Sequence, residues 1–298
     1  MLRSLISKFA NWSIKEEYNI GFIDNTLEDI VSGQTLTYKW MQHSFKDSWF
    51  ADPFVLDVTQ THIFLLVEDF YYPIGRGRIS LLKVNKKNST CEERIPLLTL
   101  NTHLSFPAIL RKGTDVYVYP ESGESGQLKL YKYEDYQLKE VLTLAELSLS
   151  DAVFTDLYGA NYCFTTRPSI PEEETRVQYV YKLDENFSFR NQVFQYCFAD
   201  KIARNAGDFF RLGSFIYRPV QDCSINYGGG VIVQAVEQDK AGEFKFTEVR
   251  RLNTSHKNLR LGVHTLNSYK GITVIDAHGY CYPILARIGN FLKSKFGL

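Results

Sequence analysis

A degenerate unit recurs about every fifty residues along this chain, and it constrains the fold more than any other feature of the sequence. In each copy an acidic or small residue opens a short apolar strand, a tight turn follows, and a second apolar strand ends on a carboxylate or an arginine. The five pairs of segments are 49–56 with 63–69, 104–110 with 116–121, 151–154 with 162–167, 206–210 with 215–218, and 263–267 with 272–276. Strand repeats of this period are typical of β-propellers, so the sequence predicts a single all-β domain with five blades.

The propeller is predicted over residues 18–283, with a strand at 18–23 that joins the last blade and closes the ring. The flanking segments 1–17 and 284–298 are predicted to be short helices, because apolar residues recur there at spacings of three and four. Those residues are Leu2, Leu5, Ile6 and Phe9 in the first segment, and Leu285, Ile288, Leu292 and Phe296 in the second. Basic residues lie among them, which predicts either weak, salt-sensitive contact with an anionic membrane surface or, alternatively, packing of both helices on the propeller.

The composition excludes several classes of protein. Lys plus Arg and Asp plus Glu each number 34, so no overall basic charge predicts a nucleic acid partner. Five widely spaced cysteines without a CxxC pair indicate reduced thiols in a cytosolic protein. No apolar run reaches the ~18 residues of a membrane span, and the start of the chain does not read as a cleaved signal peptide. We therefore expect a cytoplasmic protein, peripheral at the inner face of the membrane if the helices bind lipid.

The ends of the inner strands should converge on one funnel, where carboxylates are the first candidates for catalysis. Asp52 and Asp151 occupy matching places at the start of copies one and three, so they could divide acid and base roles. Glu121 ends the second strand of copy two after an aromatic and apolar run, and burial would raise its pKa and suit it to proton donation. The alternatives are a turn cap for Asp52 and a solvated turn carboxylate for Glu121.

Candidate substrate-binding residues cluster in copy four and recur at strand ends elsewhere. The cluster contains Arg204, Arg218, Gln221, Asp222 and Tyr227, and the other candidates are Asp69, His103, His264 and Asp276. Guanidinium groups bind phosphate or carboxylate with two parallel hydrogen bonds, so the two arginines predict a phosphate site. The alternative is that they neutralise nearby aspartates as structural ion pairs, and a lone histidine is also more often structural than catalytic.

Several of these motifs, in this order, resemble the N-terminal propeller domain of plant glucosamine inositolphosphorylceramide transferases and its free-standing bacterial relatives. The motifs are Trp49 to Phe54, Glu68 to Phe70, His103 to Pro107, Tyr119 to Ser122, Ala203 to Gly207, Tyr217 to Cys223, and Tyr227 with Gly228. The resemblance covers roughly residues 18–283. More distantly the chain is similar to the five-bladed glycosidases of families 32, 43, 62 and 68 and to mannoside phosphorylases.

The resemblance implies that Asp52 is the base or nucleophile and that Asp151 supports the transition state. The glycosidases carry their acid on a later blade as a glutamate, where this chain has Arg204 and Arg218. This departure implies glycosyl transfer from a phosphate-activated donor, such as a sugar nucleotide, to a glycan or lipid-linked acceptor in surface polysaccharide or glycolipid assembly. The alternatives are a glycoside hydrolase that uses Asp52 and Glu121, and a non-catalytic glycan-binding propeller. No cofactor or metal-ligand set is evident, although an aspartate-rich funnel could hold a divalent cation.

Overall fold

The computed structural model describes residues 2–171, 173–254 and 256–296, and it contains five antiparallel sheets of four strands each. Blade one is β3 (Ser48–Val58), β4 (His62–Tyr71), β5 (Arg76–Asn85) and β6 (Cys91–Leu98), and blade two is β7 (Ser105–Lys112), β8 (Asp115–Glu121), β9 (Leu128–Glu134) and β10 (Gln137–Ala145). Blade three is β11 (Ser150–Leu157), β12 (Ala160–Thr166), β13 (Val177–Leu183) and β14 (Phe189–Cys197), and blade four is β15 (Phe210–Leu212), β16 (Phe215–Gln221), β17 (Val231–Gln238) and β18 (Phe244–Leu252). Blade five is β19 (Gly262–Tyr269), β20 (Ile272–Tyr280), β1 (Glu16–Ile23) and β2 (Tyr38–Trp40), so the predicted five-bladed propeller is confirmed.

The ring closes within blade five, as the sequence predicted. Strand β1 pairs with β20 from Glu16 opposite Tyr280 to Ile23 opposite Thr273, and β2 adds to the outer side of β1. Helix α1 (Leu2–Ser13) precedes β1, and helix α3 (Pro283–Phe296) follows β20, while the short helix α2 (Leu27–Val31) lies between β1 and β2. The predicted helical ranges also include Met1, Gly297 and Leu298, which lie outside the described residues.

A bulge at the start of the inner strands sets the direction of the side chains that face the axis. The register shifts after Ala51 in β3, after Ser105 in β7 and after Ser150 in β11. The next residue in each strand has a left-handed backbone, with φ of 49° at Asp52, 43° at Phe106 and 46° at Asp151. Bulges re-aim side chains and recur beside active sites, and here the same device turns two carboxylates toward one funnel.

Blade four packs so closely on blade five that no side chain fits at position 207 of blade four. Gly207 has a φ of 149°, and a Cβ there would meet the carbonyl oxygen of Leu266 at 2.1 Å. Between blades one and two, Phe54 packs edge to face on Phe106 with ring centroids 5.0 Å apart, and between blades two and three Tyr119 stacks on Phe154 with ring centroids 4.3 Å apart. This packing holds the five sheets rigidly around the funnel.

Candidate active site

The funnel at the mouth of the inner strands is a cavity of about 380 Å³, a size typical of small-ligand sites. Its lining combines carboxylates, basic groups and aromatic rings: Tyr18, Trp49, Asp52, Glu68, Phe70, His103, Ser105, Glu121, Asp151, Glu174, Arg204, Tyr227 and His264. Five of these residues are acidic and come from three blades. The predicted convergence of strand ends from different blades is therefore present in the structure.

The side chain of Asp52 lies between blades five and two and is buried. Its Oδ2 accepts a hydrogen bond from the backbone N–H of Phe106 at 2.9 Å, and its Oδ1 lies 3.2 Å from Nδ1 of His264. Beneath it, Asp276 is fully buried and accepts hydrogen bonds from the backbone N–H of Asp52 and from both the N–H and the hydroxyl of Thr265. These contacts fix the Asp52 carboxylate at the floor of the funnel.

Two carboxylates flank His264 and favour its charged form. Burial alone would lower its pKa, but Asp276, whose Oδ2 lies 3.1 Å from Nδ1, and Asp52 raise the pKa of His264 well above its usual value. Its other ring nitrogen lies 3.3 Å from the hydroxyl of Tyr227, whose ring is about half exposed at the rim. The floor therefore contains a histidinium held by two carboxylates, with Tyr227 reaching over it.

The opposite wall is an arginine surrounded by carboxylates. Nε of Arg204 lies 2.7 Å from Oδ2 of Asp151, Nη1 contacts Glu174, and Nη2 lies 4.0 Å from Glu121. Glu121 also accepts hydrogen bonds from the backbone N–H of Asp151 at 2.8 Å and from the hydroxyl of Ser150 at 3.1 Å. Burial raises the pKa of Asp151 to about 8, and the Arg204 guanidinium opposes that rise. All three guanidinium nitrogens of Arg204 thus face carboxyl groups. This arrangement agrees with the alternative that Arg204 is a structural ion-pair partner.

Glu68, near the end of β4, forms the third polar group of the funnel. Burial, with the nearby charge of Asp52, raises the pKa of Glu68 to about 7, while His103 at 3.2 Å limits the rise. The backbone N–H of Gly77 donates to Nδ1 of His103, so the neutral ring carries its proton on Nε2, toward Glu68. Glu68 is therefore a carboxyl group that can hold or release a proton near neutral pH.

Aromatic rings form the remaining side of the funnel. Trp49 stacks on Phe70 with ring centroids 4.7 Å apart and planes 10° apart, and its other neighbour is Tyr18, also at 4.7 Å. Such a wall offers flat apolar area next to the carboxylates. A sugar, which has apolar C–H faces and hydroxyl edges, matches this combination.

Five of the predicted binding residues do not line the funnel: Asp69, Arg218, Gln221, Asp222 and Asp276. Asp69 is fully buried inside blade one, where it accepts hydrogen bonds from Arg78 and Ser80, both at 2.8 Å. Asp222 pairs with Arg251 at the outer edge of blade four. Both were predicted to bind substrate, and the structure instead makes them ion-pair partners of their own blades.

Arg218, for which a phosphate contact was predicted, also lies outside the funnel because its side chain is 0% exposed. Its Nε donates to Gln234 at 2.8 Å, its Nη1 donates to Gln178, and its guanidinium lies 3.8 Å from the ring centroid of Phe246. Burial lowers the pKa of Arg218 to about 9. Gln221 is also fully buried, and it lies behind Asp151, to whose Oδ2 its amide donates at 3.2 Å.

The sequence interpretation did not select Glu68, Glu174 or the aromatic wall as site residues. For Glu68 the signal was present, because successive side chains of a strand point to opposite faces. Glu68 and Asp69 are neighbours near the end of β4, so only one of their side chains can face the funnel, and that side chain is Glu68. Glu174 lies in the loop between β12 and β13, whose conformation no strand pattern predicts.

One group of described residues has the composition of a metal site. Asp52, His264 and Asp276 offer ligand atoms within 4.8 Å of one another. A metal requires an unprotonated imidazole nitrogen, however, and the two carboxylates beside Nδ1 raise the pKa of His264 and thereby favour its protonated form. Asp276 already accepts from Thr265, Asp52 and His264. The trio fits a histidinium better than a cation, and a divalent ion in the funnel stays a prediction.

Comparison with known proteins agrees with this architecture. Residues 30–276 match the family described as glucosamine inositolphosphorylceramide transferase 1, N-terminal. The glucosamine inositolphosphorylceramide transferase 1 of Oryza sativa subsp. indica is 28% identical over 209 residues, covering 67% of this chain and 28% of the relative. The Arabidopsis thaliana protein of the same name is 26% identical over 209 residues, covering 68% of this chain and 27% of the relative. The chain thus matches less than a third of the length of these relatives.

A solved structure shares the fold. The GH43_1 enzyme from Xanthomonas citri superposes with a TM-score of 0.56 at 10% identity, covering 78% of this chain and 89% of that chain. At this identity the likeness shows the propeller architecture alone.

Proposed function

We propose, since the chain belongs to the glucosamine inositolphosphorylceramide transferase 1 N-terminal family, that its funnel binds a sugar and catalyses acid–base glycosyl transfer. The observation that carries the proposal is the placement of Asp52 and Glu68 in one funnel with different surroundings. One carboxylate is held by a backbone N–H beside a histidinium, and the other is buried with a pKa of about 7. Two carboxyl groups whose environments differ in this way are typical of acid and base assignments.

Asp52 would be the base. Its oxygens are fixed by Phe106 and His264, so its geometry is set before substrate binds. It takes the proton of an acceptor hydroxyl while that oxygen forms its bond to the anomeric carbon. Glu68 would donate its proton to the glycosidic oxygen as the bond from that oxygen to the anomeric carbon breaks.

The donor in this proposal is a glycoside. A phosphate leaving group needs cations to stabilise it, and the two arginines predicted for that task are not free. Arg218 is buried, and each nitrogen of Arg204 faces a carboxylate. An alkoxide leaving group needs a proton instead, and Glu68 supplies one. We therefore propose a glycan or glycolipid donor in place of the sugar nucleotide predicted from the sequence.

Hydrolysis is the second candidate, and it uses the same residues. The carboxylates line a cavity that is open to solvent, so water can take the place of the acceptor hydroxyl. The two functions differ only in which oxygen Asp52 activates.

The experiment is a screen of p-nitrophenyl and phenyl glycosides of common hexoses and amino sugars, with and without added sugar acceptors. We expect Asp52→Asn to lower the rate about 10²–10⁴-fold on every active substrate. Glu68→Gln should lower the rate much more on phenyl than on p-nitrophenyl glycosides, because nitrophenolate leaves without a proton. Glu140→Gln is the matched control, since Glu140 pairs with Lys129 on the surface of blade two.

Three results would contradict the proposal. Equal losses for Glu68→Gln on both leaving groups would remove Glu68 as the acid. Thermal stabilisation by sugar nucleotides alone would restore the phosphate-activated donor. Stabilisation by oligosaccharides without turnover of any glycoside would make the funnel a glycan-binding site.

A further inference from the structure

The two terminal helices form a pair of their own. They run antiparallel, since Arg3 near the start of α1 donates a hydrogen bond to the carbonyl of Phe296 at the end of α3. At their crossing, Gly289 lies so close to α1 that a Cβ would meet Oγ of Ser13 at 2.0 Å and the carbonyl oxygen of Ala10 at 3.0 Å. Small residues thus bring the two backbones together, and the larger apolar side chains are directed elsewhere.

Those larger side chains are exposed. They belong to the two helices and to Tyr282, the residue just before α3. The exposed apolar residues are Leu5, Phe9, Trp12, Tyr282, Ile284, Ile288, Phe291 and Phe296. Trp12 stacks on Tyr282 with ring centroids 4.9 Å apart, so the aromatic residues of both segments meet. A cluster of this many exposed apolar side chains is typical of a surface that binds a partner protein, a ligand or a membrane.

The charge of the helix pair has one sign. Helix α1 contains Arg3 and Lys8, α3 contains Arg287, Lys293 and Lys295, and neither helix contains an acidic residue. The chain as a whole has a net charge of zero, so the positive charge is concentrated here. A second copy of this surface would bring like charges together, which disfavours a symmetric dimer. Exposed Trp and Phe with Lys and Arg are typical of helices that lie in a membrane interface.

The pair also lies on the side of the propeller where the funnel opens. Helix α1 leads into the start of β1, and α3 follows the end of β20. Tyr18, near the start of β1, lines the funnel, and Lys15 between α1 and β1 lies 3.7 Å over the ring of Tyr72, just beyond the end of β4. None of the helices in the described part of the chain is long and apolar enough to cross a membrane.

We infer that the α1–α3 pair is a docking surface for anionic phospholipid membranes and that docking brings the mouth of the funnel to the lipid surface. The apolar side chains would enter the interface while the five basic residues contact anionic headgroups. A lipid-linked glycan would then reach the carboxylates without leaving the membrane. That last step rests on the proposed function, whereas the docking does not.

Co-sedimentation of the full chain with phosphatidylcholine vesicles, with and without phosphatidylglycerol, tests the docking. We expect binding to the anionic vesicles at low salt and release at high salt. Phe291→Ser should weaken binding about tenfold, because the variant loses the aromatic side chain that would be transferred from water into the lipid. Phe215→Ser is the matched control, since Phe215 is 61% exposed and Phe291 is 60% exposed, but Phe215 lies at the start of β16 in blade four.

A second pair of variants tests the charge. Lys293→Gln with Lys295→Gln should weaken binding about fivefold per charge, whereas Lys139→Gln with Lys245→Gln, which removes two exposed lysines elsewhere, should not. Equal binding to neutral vesicles, or none to either kind, would overturn the inference. A dimer in light scattering that Phe291→Ser dissociates, without vesicle binding, would assign the surface to a second copy. Asp52→Asn should bind vesicles normally, which separates this test from that of catalysis.

Discussion

Replacing Asp276 by asparagine tests whether the floor of the funnel is an ion pair. Asp276 is fully buried and accepts hydrogen bonds from Thr265 with one oxygen, and from Asp52 and His264 with the other. Asparagine has one accepting oxygen and one donating NH₂ group. If the oxygen stays on Thr265, the NH₂ group faces two N–H donors, so the change removes a charge and two hydrogen bonds at once.

The cost follows from these losses. Breaking a buried ion pair by removing one partner destabilises a protein by about 3–5 kcal/mol. For a domain of this size each kcal/mol lowers the melting temperature by about 2–4 °C, so we expect a fall of roughly 10 °C. The propeller should still fold, because the inner strands keep their apolar packing.

The pH dependence of the difference in stability between wild type and Asp276→Asn has a defined sign. Although burial opposes ionisation, the His264 cation lowers the pKa of Asp276, so its stabilisation is present above its unfolded pKa of ~3.9 and is lost as pH falls through the folded pKa. The pKa of His264 is raised, so its stabilisation is complete below ~6.5 and is lost as pH rises through the folded pKa. The difference should be largest between about pH 4 and 6.5.

Thermal melts of wild type and variant across this range measure the effect. Asp57→Asn is the matched control, because Asp57 pairs with Lys270 while about half exposed, and exposed pairs contribute about 0–1 kcal/mol. A melting temperature for Asp276→Asn within a degree or two of wild type at pH 6, or a difference that grows steadily above pH 8, would refute the histidinium.

Two further predictions concern the interior of the propeller and are measured by the same melts. Gly207→Ala should destabilise the fold by several kcal/mol, because the new Cβ would meet the backbone of blade five, whereas Gly213→Ala, in an open turn at φ 59°, should cost about 1 kcal/mol. Glu68→Gln should gain stability relative to wild type as pH rises from about 5 to 8, because the raised pKa of Glu68 makes its ionisation destabilising as pH approaches and passes the folded pKa of about 7. If the stability difference between Glu68→Gln and wild type stays constant across that range, the pKa of Glu68 is not raised in the folded protein.

The blades could be predicted because each one repeats the same local pattern. Apolar alternation marked the inner strands, and the strand at 18–23 was assigned to ring closure because an unpaired edge is unfavourable. Matching positions in copies one and three also placed Asp52 and Asp151 in one funnel, where the structure has them. Local pattern and ring topology together were sufficient for these residues.

The roles of charged residues could not be predicted in the same way, because a role depends on which neighbours meet in space. Arg204 and Arg218 were predicted to share one role, yet Arg204 faces three carboxylates in the funnel and Arg218 contacts two glutamines and an aromatic ring. Strand β16 places Arg218 between blades three and four. No spacing along the chain distinguishes that position from one that faces the axis.

The interior position of Arg218 still connects it to the funnel. A guanidinium only donates hydrogen bonds, so Gln178 must turn its oxygen to Arg218 and its NH₂ group away. That NH₂ group donates to Oδ1 of Asn205 at 2.9 Å, and the NH₂ group of Asn205 then donates to the backbone carbonyl of Asp151 at 2.8 Å. Gln221 completes the support by donating to the Asp151 carboxylate. Arg218, which was predicted to bind a phosphate, thus begins a buried chain of hydrogen bonds that all run in one direction through Gln178 and Asn205 and end on the backbone carbonyl of Asp151.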